Sequence, residues 1–148
     1  MKTVSVLSFA ALMLAVIYGC TQPQAGDHAR VYENGTYRGV FIDGDSIQIN
    51  VELRIEEDIV TAAAFRHLRR DENYHLDTKE EPYISVVQQY QEALDHLVGK
   101  NINANLSDLY NPENIVSTHV DGYTAATLRS NKIISAVRDA LNRGVYSY

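Results

Sequence analysis

Several features that would point to a chemistry are scarce or missing in this chain. Among its 148 residues stands a single cysteine, Cys20, so no disulfide forms within the chain. No Cys-x-x-Cys-His is present either, which leaves no anchor for an attached haem, and a redox role therefore needs another cofactor. Basic residues are outnumbered, with 13 Lys and Arg against 19 Asp and Glu and a formal charge of −6. That balance argues against nucleic acid as a partner, and an acidic surface is not drawn to anionic headgroups. The histidines, His28, His67, His75, His96 and His119, lack metal-ligand spacing, and His67 and His75 read as polar surface. Asp43-Gly44-Asp45 starts like a calcium loop but runs on into a strand without the terminal Glu, so it reads as a turn. Asn34-Gly35-Thr36 and Asn105-Leu106-Ser107 match glycosylation sequons by pattern only. Internal repeats and low-complexity tracts are absent.

What is present begins with an apolar run from Val4 to Tyr18 behind Lys2. It has the length of a signal-peptide core and is short for a membrane span, which takes roughly 20 residues. Ile17-Tyr18-Gly19-Cys20 resembles the bacterial lipobox, in which the cysteine is lipidated and becomes the new N-terminus. The expected organisation is a signal peptide over 1–19, a lipidated tether over 20–30 and a folded domain over 31–148. The tether, "TQPQAGDHAR", carries Pro23 and Gly26 and has no apolar period. The expected location is extracytoplasmic, on a bacterial membrane, with the lipid on Cys20 as the link. Loss of Lys2 with the leader makes the remainder one unit more acidic.

The first half of the domain reads as β. "NGTYRGVF" opens on the turn pair Asn34-Gly35, and "SIQINVELRIEED" alternates, with Ile47, Ile49, Val51, Leu53 and Ile55 on one face. Glu56-Glu57-Asp58 makes a turn, and "IVTAAAFRHLRR" returns as a partner strand whose three alanines leave room for close packing. Tyr83, Val87, Tyr90, Leu94, Leu97 and Val98 recur at helical intervals between Pro82 and Gly99. Ile133, Ile134, Val137, Ala140 and Leu141 define a second helix ending at Gly144. The Asn-rich stretch between the helices reads as an irregular connection with at most a short strand or turn. The fold class is α+β, a small antiparallel sheet with helices packed on one face, and Ile49, Val51, Leu53, Leu94, Val137 and Leu141 belong to one core.

"DGYTAATLRS", Asp121 to Ser130, reads as a loop rich in small residues just ahead of the second helix. A helix start offers unpaired N–H groups and a positive dipole end, which suit a phosphate, and Thr124, Thr127 and Ser130 add hydroxyls there. Spacing alone leaves two readings: a phosphate cradle, or Thr127 or Ser130 as an N-cap with the alanines as packing. Tyr123 is placed either to stack on a ring or to be a partly buried loop aromatic.

This motif, followed by "NKIISAVRDAL", resembles the FMN-binding domain family of sodium-pumping NADH:quinone reductases, related ferredoxin:NAD oxidoreductase complexes and exported flavoproteins. The family shows an acidic residue, two positions, Ser or Thr, Gly, Ala, then Thr or Ser, ahead of a helix. "NGTYRGVF" and "IQINVELRIEEDIVTAAAFRH" are similar to its opening strand and hairpin, so the resemblance covers residues 33 to 143. It implies FMN as cofactor, transferred from FAD by a flavin transferase and joined through its phosphate to Thr127, with Asp121 as the leading acid and Thr124 the earlier hydroxyl. Ala126 holds the family's Ala. Ala125 stands where Gly is usual and restricts φ if the loop is left-handed there. Leu128-Arg129 replaces the commoner pair, and Arg129 is either a phosphate partner or solvated. The implied function is a one-domain electron carrier between a membrane donor and an extracytoplasmic acceptor. The alternative is a non-redox envelope lipoprotein of the same fold, serving as a ligand-binding or assembly module.

Overall fold

Alternation in "IQINVELRIE" produces the centre of the molecule. In the computed structural model, β1 (Gly35–Asp43), β2 (Ile47–Glu56), β3 (Ile59–Arg70) and the two-residue β4 (Tyr74–His75) form an antiparallel sheet in the order β1-β2-β3-β4. The structure describes residues 30–72, 74–117 and 122–147, and for 74 and 122–128 the backbone alone. Because strand side chains alternate between faces, Ile47, Ile49, Val51, Leu53 and Ile55 all turn to one side, where each is buried. The helices cover that side, so the domain has the expected α+β architecture.

The β2–β3 turn is tight. Glu56 pairs with Ile59, and the two residues between, Glu57 and Asp58, both take positive φ, as a twisted two-residue hairpin requires. Asp58 offsets its left-handed backbone with its carboxylate, which accepts from the backbone N–H of Tyr32 at 2.8 Å and of Val31 at 3.0 Å. β3 itself does not alternate. Irregular register opposite Asn50/Val51 and Arg54/Ile55 brings Val60, Ala63, Phe65 and Leu68 opposite Ile55, Leu53, Val51 and Ile49. Of the three alanines, only Ala63 packs on the core, while Ala62 and Ala64 are exposed on the other face.

α1 (Tyr83–Asp95) lies over β3, with Val86, Gln89, Tyr90, Ala93 and Leu94 buried and the Tyr90 ring edge-on to Phe65 at 6.2 Å. Val98, expected on its apolar face, is 41% exposed, because the helix stops at Asp95 and the chain turns before reaching it. Gly99 serves that turn, not the helix end: it takes φ +80° and donates to the Val60 carbonyl at 2.8 Å. The connection that follows holds the four-residue α2 (Ile102–Asn105) and two 3-10 turns, Leu106–Tyr110 and Pro112–Asn114.

α3 (Gly122–Arg143) runs antiparallel to β1 and closes the core. Ile133, Ile134, Ala136, Val137 and Ala140 are buried, and Leu141 packs against them. Gly39 permits this approach, since a Cβ there would stand 2.1 Å from the Ala136 carbonyl oxygen. Asp139 reinforces the seam by accepting from the Val40 N–H at 2.7 Å. Gly144, at φ +80°, ends the helix, and Val145 bridges Tyr37 so that the C-terminal segment shields the β1 edge. Among the described residues no helix is long and apolar enough to cross a membrane. Cys20 and the stretches expected to be leader and tether lie outside those residues, apart from Arg30, whose guanidinium donates to the Glu57 carboxylate at 2.9 Å.

Candidate functional site

Helical backbone starts earlier than the sequence led us to expect. The stretch read as a loop up to Ser130 is helical from Gly122, so Tyr123, Thr124, Ala125, Ala126 and Thr127 occupy the first two turns of α3. The physical reason lies in their composition: alanines and Leu128 favour helix, and nothing between Gly122 and Ser130 breaks it. Asp121 lies outside the described residues.

Two consequences follow for the candidate site. First, Ala125 sits in right-handed helical backbone, so no left-handed glycine position is needed there. Second, the amides without an intrahelical acceptor are those of Gly122, Tyr123 and Thr124. Thr127 lies about one turn, ~5.4 Å, further along, and its own N–H is committed to the helix. A group attached at Thr127 would use its hydroxyl, with the first-turn amides one turn away.

Beyond Thr127 the helix is polar in an unusual way. Arg129 is only 6% exposed, and its guanidinium donates to Oε1 of the buried Gln89 on α1. It is thus neither solvated nor a free phosphate partner but a cross-brace between two helices. Ser130 is fully buried, and its Oγ has no hydrogen-bond partner among the described residues. The next residue repeats the pattern, with Asn131 Oδ1 buried and unpartnered. An N-cap role for Ser130 is excluded by its place in the third turn of α3. Buried polar atoms are normally paired, so two adjacent orphans mark a place where packing is incomplete in polar terms.

Lys132 follows. It is half-buried, and burial, Arg70 and Arg129 together hold its ammonium below the ordinary lysine range against an opposing pull from Asp43. α3 has no acidic residue in its first turn, so its positive end is uncompensated there by its own side chains. The unpartnered Ser130 hydroxyl and the half-buried Lys132 ammonium suit a phosphate-bearing group.

A separate polar cluster went unseen in the sequence. His96 Nε2 lies 3.0 Å from Asp108 Oδ2, and Lys100 Nζ lies 2.9 Å from His96 Nδ1. Lys100 Nζ stands equally close, 2.9 Å, to Nε2, so His96 is held between the ammonium and the carboxylate. The bond from His96, then that from Asn105, holds the Asp108 carboxyl below its ordinary value. His96 and Asp108 border a cleft of about 270 Å³ with Asn111, Asn114 and Ile115. The spacing of His96 and Lys100, one helical turn apart, was the available signal, but Asp108 reaches them only through the 3-10 turn. His67 is exposed, and His75 Nδ1 stands 3.7 Å from Asp77, an exposed pair.

No protein-family model matches the chain, and no curated protein does.

Proposed function

We propose that the protein is a membrane-anchored extracytoplasmic flavoprotein that carries FMN as a phosphoester on Thr127 and relays electrons. The observation that carries this reading is the motif Asp121-Gly-Tyr-Thr-Ala-Ala-Thr127 at the head of a helix whose rest is clamped to an α+β core. The helix start at the motif, the unpartnered Ser130 Oγ and the helical Ala125 support it. Flavin would supply the electron uptake and release, between a membrane donor and an extracytoplasmic acceptor.

Attachment proceeds with the Thr127 hydroxyl as nucleophile. Its oxygen bonds to the FMN phosphorus of FAD, the pyrophosphate bond breaks, AMP leaves, and the hydroxyl proton is released. A flavin transferase catalyses this step. Covalency has a physical advantage here. A helix terminus contributes about 0.3–1 kcal/mol and a charge-assisted hydrogen bond about 1.5–3, whereas association costs roughly 4–15. A small domain with few such contacts holds a free cofactor weakly, and an ester removes dissociation.

Lipidation at Cys20 provides the anchor in this reading, and Cys20→Ser should release the protein from the membrane or leave an uncleaved precursor; unchanged acylation sinks that part. For the flavin, the wild type is exported together with a flavin transferase, denatured, and examined by absorbance and intact mass. Retained flavin absorbance and a mass increase of one FMN less water are expected, both lost in Thr127→Ala, with Thr124→Ala loading less at the same site. A colourless wild type under those conditions favours the non-redox envelope module, and flavin retained by denatured Thr127→Ala moves the attachment elsewhere.

A further inference from the structure

Two serines on α3 behave differently. Ser135 Oγ donates to the Asn131 carbonyl at 2.9 Å, the bond to the residue four back by which a helical serine commonly satisfies its hydroxyl. Ser130 makes no such bond. It is fully buried and its Oγ is without a partner among the described residues, as is the buried Oδ1 of Asn131. The period of the helix sets Thr127, Ser130, Asn131 and Ile134 on one stripe, at steps of three and four. Ile134 lies in the core, so this stripe is the inward one. Cα–Cβ bonds of a helix tilt towards its N-terminus, so the side chains of Ser130 and Asn131 lean back over the turn that contains Thr127.

Both oxygens are costly while nothing bonds to them, and the two ask for different partners. A serine hydroxyl can donate, and an ionised phosphate ester accepts. An amide oxygen only accepts, which an ionised phosphate cannot satisfy and a hydroxyl can. A phosphate and a hydroxyl on one short chain meet both demands. We propose that Ser130 and Asn131 receive the phosphorylated end of a polyol chain, with Ser130 Oγ donating to the phosphate and Asn131 Oδ1 accepting from a chain hydroxyl. The identity of that chain rests on the flavin reading: FMN joined at Thr127 has its phosphate at the ester and its ribityl hydroxyls next to it. Residues three and four apart on a helix have Cβ atoms about 5–6 Å apart, within the span of a phosphoester and the first carbons of such a chain. The oxygens are closed to solvent in the flavin-free fold, so the ligand reaches them when the first turns of α3 open, as helix ends do. Once enclosed, its hydrogen bonds form in a setting of low dielectric, where they are stronger than in water.

The test uses the full-length protein made without a flavin transferase, with FMN, riboflavin and lumiflavin as probes, read by quenching of flavin fluorescence. Lumiflavin has the ring but neither the chain nor the phosphate. The wild type should bind FMN most tightly and lumiflavin least. Ser130→Ala should weaken FMN about tenfold and riboflavin less, while Asn131→Ala should weaken both alike, by about fivefold. Neither change should alter lumiflavin, and Ser135→Ala, whose hydroxyl is satisfied within the helix, should bind all three as the wild type does. Wild type that binds no FMN or holds the three probes equally, or FMN binding unchanged in either variant, overturns the proposal. Attachment is scored apart, by intact mass after co-expression with the transferase. FMN bound but never esterified in the wild type removes Thr127 as acceptor and leaves this site standing. An esterified wild type, with variants that bind free FMN as well as it does, removes this site and leaves Thr127 standing.

Discussion

The two ends of α3 follow different rules. From Ile133 to Ala140 the helix is seated on the sheet, with a glycine opposite its backbone, apolar side chains on the core and Asp139 bonded to both Val40 and Arg143. From Arg129 to Lys132 the same helix carries a buried guanidinium, two polar atoms without partners and a half-buried ammonium. The first arrangement secures the fold. The second departs from the usual satisfaction of buried polar groups, and such departures are expected where a protein binds something.

The comparison is broken most forcefully at the seated end. Gly39→Val should destabilise by about 3 kcal/mol or more, because any Cβ collides with helix backbone that has no room to yield. Urea unfolding measures it, and a cost under about 1 kcal/mol means that α3 is less firmly seated than the geometry indicates. Asp139→Ala should cost about 1.5–3 kcal/mol, the range for a hydrogen bond to a charged group, as the Val40 N–H loses its acceptor. The same measurement with Asp139→Asn should recover part of that loss.

At the polar end the sign reverses. Ser130→Ala should leave the flavin-free protein as stable or more stable by up to about 1 kcal/mol, since it removes a buried hydroxyl that bonds to nothing. Clear destabilisation in thermal melts would show that the hydroxyl is satisfied and that the two ends differ less than stated. The smallest effect belongs to the clasp outside both ends. Asp108 has a depressed carboxyl, so its contribution is present above the ordinary value of 3.8 and lost as pH falls through its lower folded value. Asp108→Asn should therefore lower stability slightly near neutral pH and flatten the acid limb of the stability profile. A profile with an unchanged acid limb contradicts that sign.

Legibility in the sequence followed the range of the interactions. β2 was readable in full because its apolar period is a property of adjacent residues, and the pair Glu57-Asp58 was readable as a turn for the same reason. β3 was readable as a strand, but not which of its residues face inward, since two irregularities in its register with β2, where Arg66 and Thr61 are passed over, decide that. In α3 the apolar face from Ile133 to Leu141 was plain, while the start at Gly122 was masked by threonines that suit a loop as well as a helix. Among the candidate site residues, the sequence placed Thr127 near a helix start, but assigned Arg129 to phosphate or solvent when it braces α1.

By itself the sequence determined the alternating centre of the sheet, the apolar faces of both long helices and the hydroxyl-rich motif, because each depends on residues a few positions apart. Only the tertiary structure decided that Arg129 meets Gln89 40 residues away, that Ser130 is enclosed without a partner, and that Lys132 is half-buried. Those outcomes depend on where the ends of β1, β3 and α1 lie relative to α3. Burial and electrostatic neighbours are properties of the packed whole, and no local period encodes them.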